Sequence, residues 1–167
     1  DILVNNAGIC PRCSALEYTE EMWDQIIQLN QKSVFFLSQL AARQFVKQKS
    51  RGKIINLASM MSFLGGFITT AYTASKSAVA GLTRVCASEW GALGINVNAL
   101  APGWIKTGLS AALVADTARY ESVKARIPMG DWGEPDVFKG IAVLLASSAS
   151  DYINGAIIPV DGGYLTK

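Results

Sequence analysis

Short, continuously apolar runs alternate along this chain with longer stretches in which apolar residues recur every three or four positions. That is the pattern of a parallel sheet covered by helices on both faces. Four strands are predicted. Ile2-Leu3-Val4 is the first run and stops at Asn5-Asn6-Ala7-Gly8. Lys53-Ile54-Ile55-Asn56-Leu57-Ala58 reads as a second strand, buried on both faces and leading to Ser59. Ile95-Asn96-Val97-Asn98-Ala99-Leu100 is a third, expected to break at Ala101-Pro102-Gly103 because proline has no N–H for a ladder. Ala156 to Val160 is the last, before Asp161-Gly162-Gly163.

Between the strands the period changes to helical. From Glu20 to about Gln48, Met22, Ile26, Ile27, Val34, Leu37, Leu40, Ala41 and Phe45 fall on one face behind Thr19 as N-cap, predicting one long, bent helix ended by Gly52. A second helix, rich in small residues suited to close packing, is expected from about Ala71 to Ala92. Pro135 opens a third that runs to about Ser147. Ser110 to Met129 mixes helical periodicity with charge, as a lid over a cleft or a plain surface helix does.

Half of the 167 residues are apolar and 17% are charged, enough for one sizeable core and too few residues for two complete domains. The 15 basic and 13 acidic side chains are scattered, so no basic stripe invites nucleic acid or a membrane surface. No apolar run approaches the roughly 18 residues of a spanning helix, and the first residues lack the basic start of a signal peptide. A cytoplasmic protein acting on a small molecule is the expectation. Histidine is absent, which removes Ser-His-Asp and Cys-His nucleophiles and mixed Cys/His zinc sites. Cys10 and Cys13 have C-x-x-C spacing but no second pair to complete a thiolate metal site, and Cys86 falls in an apolar helical stretch. No metal is expected, and the cysteines are given no role.

Chemistry concentrates around Tyr72-Thr73-Ala74-Ser75-Lys76, which sets a phenol and an ammonium one helical turn apart on the same face. A free tyrosine, with a pKa of about 10, is a poor base at neutral pH, and a fixed cation beside it favours the phenolate. Alone, the spacing is as compatible with a solvated surface pair. Its context is more specific: Ser59 stands at a strand end, 13 residues before Tyr72, with Gly65 and Gly66 between. Asn30 lies inside the preceding long helix, and Ala101-Pro102-Gly103-Trp104-Ile105-Lys106-Thr107 follows the third strand.

From Asp1 to Gly163 this set resembles the short-chain dehydrogenase/reductase family. The resemblance implies the C-terminal portion of a Rossmann-type, doubly wound parallel sheet in a single α/β domain, with NAD or NADP as cofactor. It implies that Asn6, Ala7 and Gly8 support the central strand and face the cofactor's ribose. Ser59 would hydrogen-bond the substrate oxygen, Tyr72 act as general acid/base, and Lys76 hold the nicotinamide ribose and lower the tyrosine's pKa. Asn30 would hold a proton-relay water, and Pro102, Gly103, Ile105 and Thr107 would contact the nicotinamide carboxamide and phosphates. A homotetramer is implied as well, with the two long helices and the last strand at its contacts.

Within the family, the segments from Asn56 to Gly66, Arg126 to Gly133 and Ala146 to Gly155 look most like sugar-acid dehydrogenases, with substrates such as gluconate or 2-deoxygluconate. Polyols and 3-oxoacyl thioesters are the alternatives. A carboxylate substrate wants a cation, for which Lys106 or Arg126 is the candidate. The glycine-rich turn that binds the pyrophosphate has no counterpart in these residues, nor has the residue that separates NAD from NADP. The chain is therefore expected to be a partial domain, inactive in isolation, the other reading being a short non-catalytic chain kept for binding or assembly.

Overall fold

The computed structural model of this protein describes residues 1–166. Four parallel strands, β1 (Ile2–Asn5), β2 (Gly52–Leu57), β3 (Ile95–Pro102) and β4 (Ile157–Val160), form one sheet in the order β1-β2-β3-β4. Every crossover carries helix. Between β1 and β2 lie α1 (Glu20–Ile27), a π-helical turn at Gln28–Lys32 and α2 (Ser33–Gln48). α3 (Thr70–Trp90) joins β2 to β3, and α4 (Ala111–Ala115), α5 (Thr117–Lys124) and α6 (Lys139–Ala146) join β3 to β4.

The alternation of side chains along the strands sorts the core into two faces. Ile54 and Val97 pack with Phe45 of α2 and with Cys86 and Ala87 of α3, while Ile55 and Leu100 pack against Leu145 of α6. Cys86 is thus a packing residue. A polar ladder crosses the first face in register: Asn5 Nδ2 donates to Ser38 Oγ at 2.9 Å and to Asn56 Oδ1 at 2.8 Å, and Asn56 Nδ2 donates to Thr83 Oγ1 at 2.9 Å. These fixed hydrogen bonds between apolar helices set one register for sheet and helices, with Asn5 Oδ1 buried and without a partner among the described residues. On the other face Ile2 and Val4 of β1 are half exposed.

Three expectations are corrected. The long helix is interrupted: the extra residue of the π turn re-aims its side chains, and Asn30, at its centre, has no exposed surface. Lys49, not Gly52, ends α2, at φ 55° in the left-handed region, while Gly52 opens β2. β3 also runs on through Pro102. Ala99 and Gly103 donate their N–H groups to Ala156 and Val160 on the β4 side. The donor that Pro102 lacks would therefore point toward β2, which has ended at Leu57. Thr19 does cap α1, its hydroxyl accepting the Met22 N–H at 3.2 Å.

Gly52 is glycine for reasons of space. A Cβ there would lie 2.1 Å from the ring of Phe45, which is itself buried. Gly52→Ala is expected to destabilise the fold by about 1–3 kcal/mol through overpacking. Urea unfolding of the two proteins checks this, and an unchanged midpoint would mean that the ring has room to move.

Candidate active site

Because all four strands are parallel, their C-terminal ends lie along one edge, and the polar segments that follow them gather there. Ser59 follows β2 in extended conformation and accepts the Met61 N–H at 3.1 Å, which leaves its own hydroxyl hydrogen free for another oxygen. Tyr72 and Lys76 rise from the first turns of α3. The Lys76 ammonium donates to the carbonyl of Leu57, the last residue of β2, at 2.6 Å and stands 5.7 Å from the centre of the Tyr72 ring. Ser62 secures the same turn, its hydroxyl donating to the Lys76 carbonyl at 2.7 Å. Helix and strand end are thereby locked together at the residues that carry the chemistry.

Asn30 braces this arrangement from the third side. Its Oδ1 accepts the Ile9 N–H at 2.9 Å, and its Nδ2 donates to the Ile9 carbonyl at 2.8 Å and to Ser75 Oγ at 3.3 Å. Ser75, fully buried, donates in turn to the Tyr72 carbonyl at 2.7 Å. The amide has then spent both donors and one of its two acceptor positions. Gly8 lies beside both groups: a Cβ there would lie 3.4 Å from Asn30 Oδ1 and 3.7 Å from Lys76 Nζ.

The electrostatics differ from the sequence expectation. Tyr72 stands above its ordinary value rather than below it. Burial pushes the phenol up to about 12, with the Ser59 hydroxyl and the Arg12 charge pulling down and Cys10 pushing up. The same burial brings the Lys76 ammonium down to about 8. Both ionised forms pay for desolvation, and for each group that is the largest effect. Cys10 joins the group: burial raises its thiol, and Arg12 and Lys76 draw it partly back.

The other anticipated residues divide. Asn6, Ala7 and Gly8 line the edge after β1 and are exposed. Asn5, just before them, links β1 to β2 through Asn56 and to α2 through Ser38. Pro102 ends β3, and Gly103 after it is so close to Asp161 that a Cβ would lie 2.6 Å from its Cα. Ile105 is buried and pairs with Gly133 in a short parallel bridge, a packing position. Thr107 is exposed at the head of a turn closed by Ser110. Trp104 joins Met60 and Met61 in an aromatic cluster with Trp132 and Tyr164, which fixes the loop after β3 against the residues that follow Ser59. Val123 of α5 and Ile127 belong to the same cluster, so the segment read as either a lid or a plain surface helix is packed beside the site. Ser62, Ser75, Cys10 and Arg12 were not anticipated there.

Three comparisons bear on these residues. Residues 1–165 match the family model described as Enoyl-(Acyl carrier protein) reductase. The chain is 57% identical over all of its 167 residues to 2-dehydro-3-deoxy-D-gluconate 5-dehydrogenase of Dickeya dadantii, of which it spans 66%. It is 46% identical over 165 residues to 5-keto-D-gluconate 5-reductase of Escherichia coli, covering 99% of this chain and 65% of that one. The crystal structure of a gluconate 5-dehydrogenase from Burkholderia cenocepacia, in complex with NADP and tartrate, superposes with a TM-score of 0.97 at 40% identity, over 100% of this chain and 65% of that one. The chain spans just under two thirds of the length of the curated relatives it matches.

Lys76 leaves a measurable signature in stability. The folded protein holds this proton less tightly than the unfolded chain, whose lysine has the ordinary value of 10.5, so unfolding takes up protons between pH 8 and 10.5. The contribution of Lys76 to stability therefore rises with pH across that window. The stability gap between the protein and its Lys76→Met variant is expected to shift toward the unsubstituted protein from pH 7 to 9.5. Urea midpoints of both at the two pH values check it, and parallel curves would show a lysine of ordinary pKa.

Proposed function

We propose, since the chain belongs to the short-chain dehydrogenase/reductase family, that it carries the proton-transfer part of an NAD(P)-dependent oxidoreductase acting on a sugar acid. The observation that supports this most directly is the convergence of Ser59, Tyr72 and Lys76 at the C-terminal ends of the strands, with Asn30 braced behind them. The names of the relatives point to oxidation or reduction at a secondary carbon of a six-carbon sugar acid. The 3-oxoacyl thioesters and polyols considered from sequence have no such support.

The residues present fit a nicotinamide nucleotide. Lys76 is almost wholly buried, yet only one of its three ammonium protons has a partner among the described residues, which leaves two for a ribose diol. Asn6, Ala7 and Gly8 would flank that ribose, and the backbone of Pro102, Gly103, Ile105 and Thr107 would meet the nicotinamide end. A nicotinamide bound there gives or takes the hydride. The protein's own residues manage the proton. In reduction the neutral Tyr72 phenol, with its raised pKa, donates its proton to the oxygen that becomes the hydroxyl, while the free hydrogen of Ser59 holds that oxygen in line. In oxidation the phenolate takes the hydroxyl proton back, favoured by the positive charge of Lys76. The space beside Gly8, between Asn30 Oδ1 and Lys76 Nζ, suits a water that would return the proton to solvent.

The same proposal extends to the rest of the protein. The 167 residues are read as the C-terminal part of a domain whose glycine-rich turn lies outside them, in keeping with their share of the relatives' length. Half-exposed Phe36, Leu37 and Leu40 on α2 and Val85 on α3 suit the helix contacts of a homotetramer. Cytoplasmic residence completes the reading; among the described residues no helix is long and apolar enough to cross a membrane.

The test is turnover by the protein in its full length. With NAD or NADP, sugar acids are expected to react and polyols and 3-oxoacyl thioesters to react poorly. Tyr72→Phe is expected to lower kcat roughly a thousandfold while leaving NADPH affinity, read from its fluorescence, nearly unchanged. Turnover of the variant within tenfold of the original would remove Tyr72 from the proton step.

A further inference from the structure

Proton transfer between Tyr72 and a substrate oxygen held at Ser59 requires the reacting atoms to come within hydrogen-bond reach, about 2.6–3.2 Å. The phenol stands on α3 and the Ser59 hydroxyl on the turn after β2, so their separation depends on what fastens that turn to that helix. Two bonds do so, and both end on Lys76. Its ammonium donates to the carbonyl of Leu57, which precedes Ser59 in the chain, at 2.6 Å. Its carbonyl accepts the hydroxyl of Ser62, which follows Ser59, at 2.7 Å. Ser59 therefore lies in a short segment tied at both ends to the same residue of α3.

That segment is closed on itself. Ser62 donates its N–H to the Ser59 carbonyl at 2.9 Å, and Ser59 Oγ accepts the Met61 N–H at 3.1 Å, so Ser59 follows wherever Ser62 is held. On the helix side, the Lys76 carbonyl offers Ser62 a second lone pair beside its helical bond. The same turn of α3 is braced from the other direction by the Ser75 hydroxyl, which donates to the Tyr72 carbonyl at 2.7 Å. Ser77, next along α3, reaches the Met61 carbonyl only at 3.4 Å and in the open. The two ties on Lys76 differ in kind. The bond to Leu57 uses the ammonium, the group that a ribose diol would engage. The bond from Ser62 joins two neutral groups, so it holds whatever the charge or occupancy of the ammonium.

We propose that Ser62 is a positioning residue for the proton step: by fastening the turn after β2 to the Lys76 carbonyl, it sets the distance from the oxygen held at Ser59 to the Tyr72 phenol. The inference rests on the reading of Tyr72 as the acid/base. Ser62 itself touches neither substrate nor nucleotide in this role. Without its hydroxyl the Lys76 carbonyl keeps its helical partner and Ser62, half-buried, leaves no large void, so the fold survives while the turn gains freedom to shift. A misplacement of about 1 Å is enough to slow a reaction roughly a hundredfold. The loss falls on proton transfer and not on nucleotide binding, because the Lys76 ammonium is still held at Leu57.

The experiment compares the full-length protein with its Ser62→Ala, Ser62→Thr and Tyr72→Phe variants on the sugar acid it turns over best, reading kcat, the solvent deuterium isotope effect on kcat, and NADPH affinity by fluorescence. Ser62→Ala is expected to lower kcat roughly tenfold and to enlarge the solvent isotope effect, with NADPH affinity held within about twofold. Ser62→Thr, which keeps the hydroxyl, is expected to recover most of the lost kcat, a rescue that a merely space-filling serine would not show. A Ser62→Ala variant with kcat within about twofold of the original, alongside a nearly inactive Tyr72→Phe, would overturn the role of Ser62 alone. Equal losses in the Ala and Thr variants, or NADPH affinity falling in step with kcat, would overturn it as well, by showing a general disturbance of the site. Unaltered turnover by Tyr72→Phe would overturn the reading beneath the inference, and the inference with it.

Discussion

The candidate site depends on the side chain of Asn30. It sits at the one point where the first long helix departs from α-helical geometry, and the π turn directs it inward rather than along a solvent-facing or packing stripe. From there one amide holds both backbone groups of Ile9, beyond β1, and reaches Ser75 on α3. Three segments distant in sequence are joined at one buried group. An apolar residue of similar size would fill the space but leave the Ile9 N–H and carbonyl without these partners, at the cost of desolvating unpaired groups. The helix interruption and the buried polar residue are one device. It explains why the loop after β1 can lie against the site without secondary structure of its own.

A second constraint is the low polarity created by that packing. Lys76 and Ser59 are held by hydrogen bonds to backbone atoms of Leu57 and Met61, and the Tyr72 carbonyl accepts the Ser75 hydroxyl, so their positions do not depend on attraction between charges. The charges pay for their burial: the phenol moves up and the ammonium down. The loop through Cys10 and Arg12 adjusts this balance, because the Arg12 cation favours the phenolate and Cys10 opposes it. Geometry and electrostatics thus come from different parts of the chain, the first from strand ends and α3, the second partly from the loop after β1.

Much of the fold was legible in the sequence, because strand and helix periods differ and the strands are buried on both faces: all four strands and α3 fall where the apolar runs place them. What escaped is physical detail that hydrophobicity does not encode. A π turn inserts a residue without changing the composition of a helix, so Glu20 to Gln48 read as one element. Proline at 102 reads as a strand breaker until the register shows that its missing donor faces an ended neighbour. In the site, Ser59, Tyr72, Lys76 and Asn30 were recognisable from spacing and order. Ser75 and Ser62 were not, since a serine that braces a backbone carbonyl looks like any other small polar residue. Arg12 was missed for a different reason: its proximity to Tyr72 comes from the Cys13 to Ile68 bond between two loops, which no periodicity announces.

A chain without histidine has few groups able to exchange a proton near neutral pH, and this structure shows how far burial alone can take a tyrosine. Desolvation makes Tyr72 a firmly protonated phenol, poised to give a proton to a carbonyl oxygen rather than to take one from an alcohol. To work as a base it needs additional positive charge in the same low-dielectric space. Arg12 supplies a share of it from the rim. The balance between the two directions of reaction is therefore set by the sum of charges around one buried oxygen.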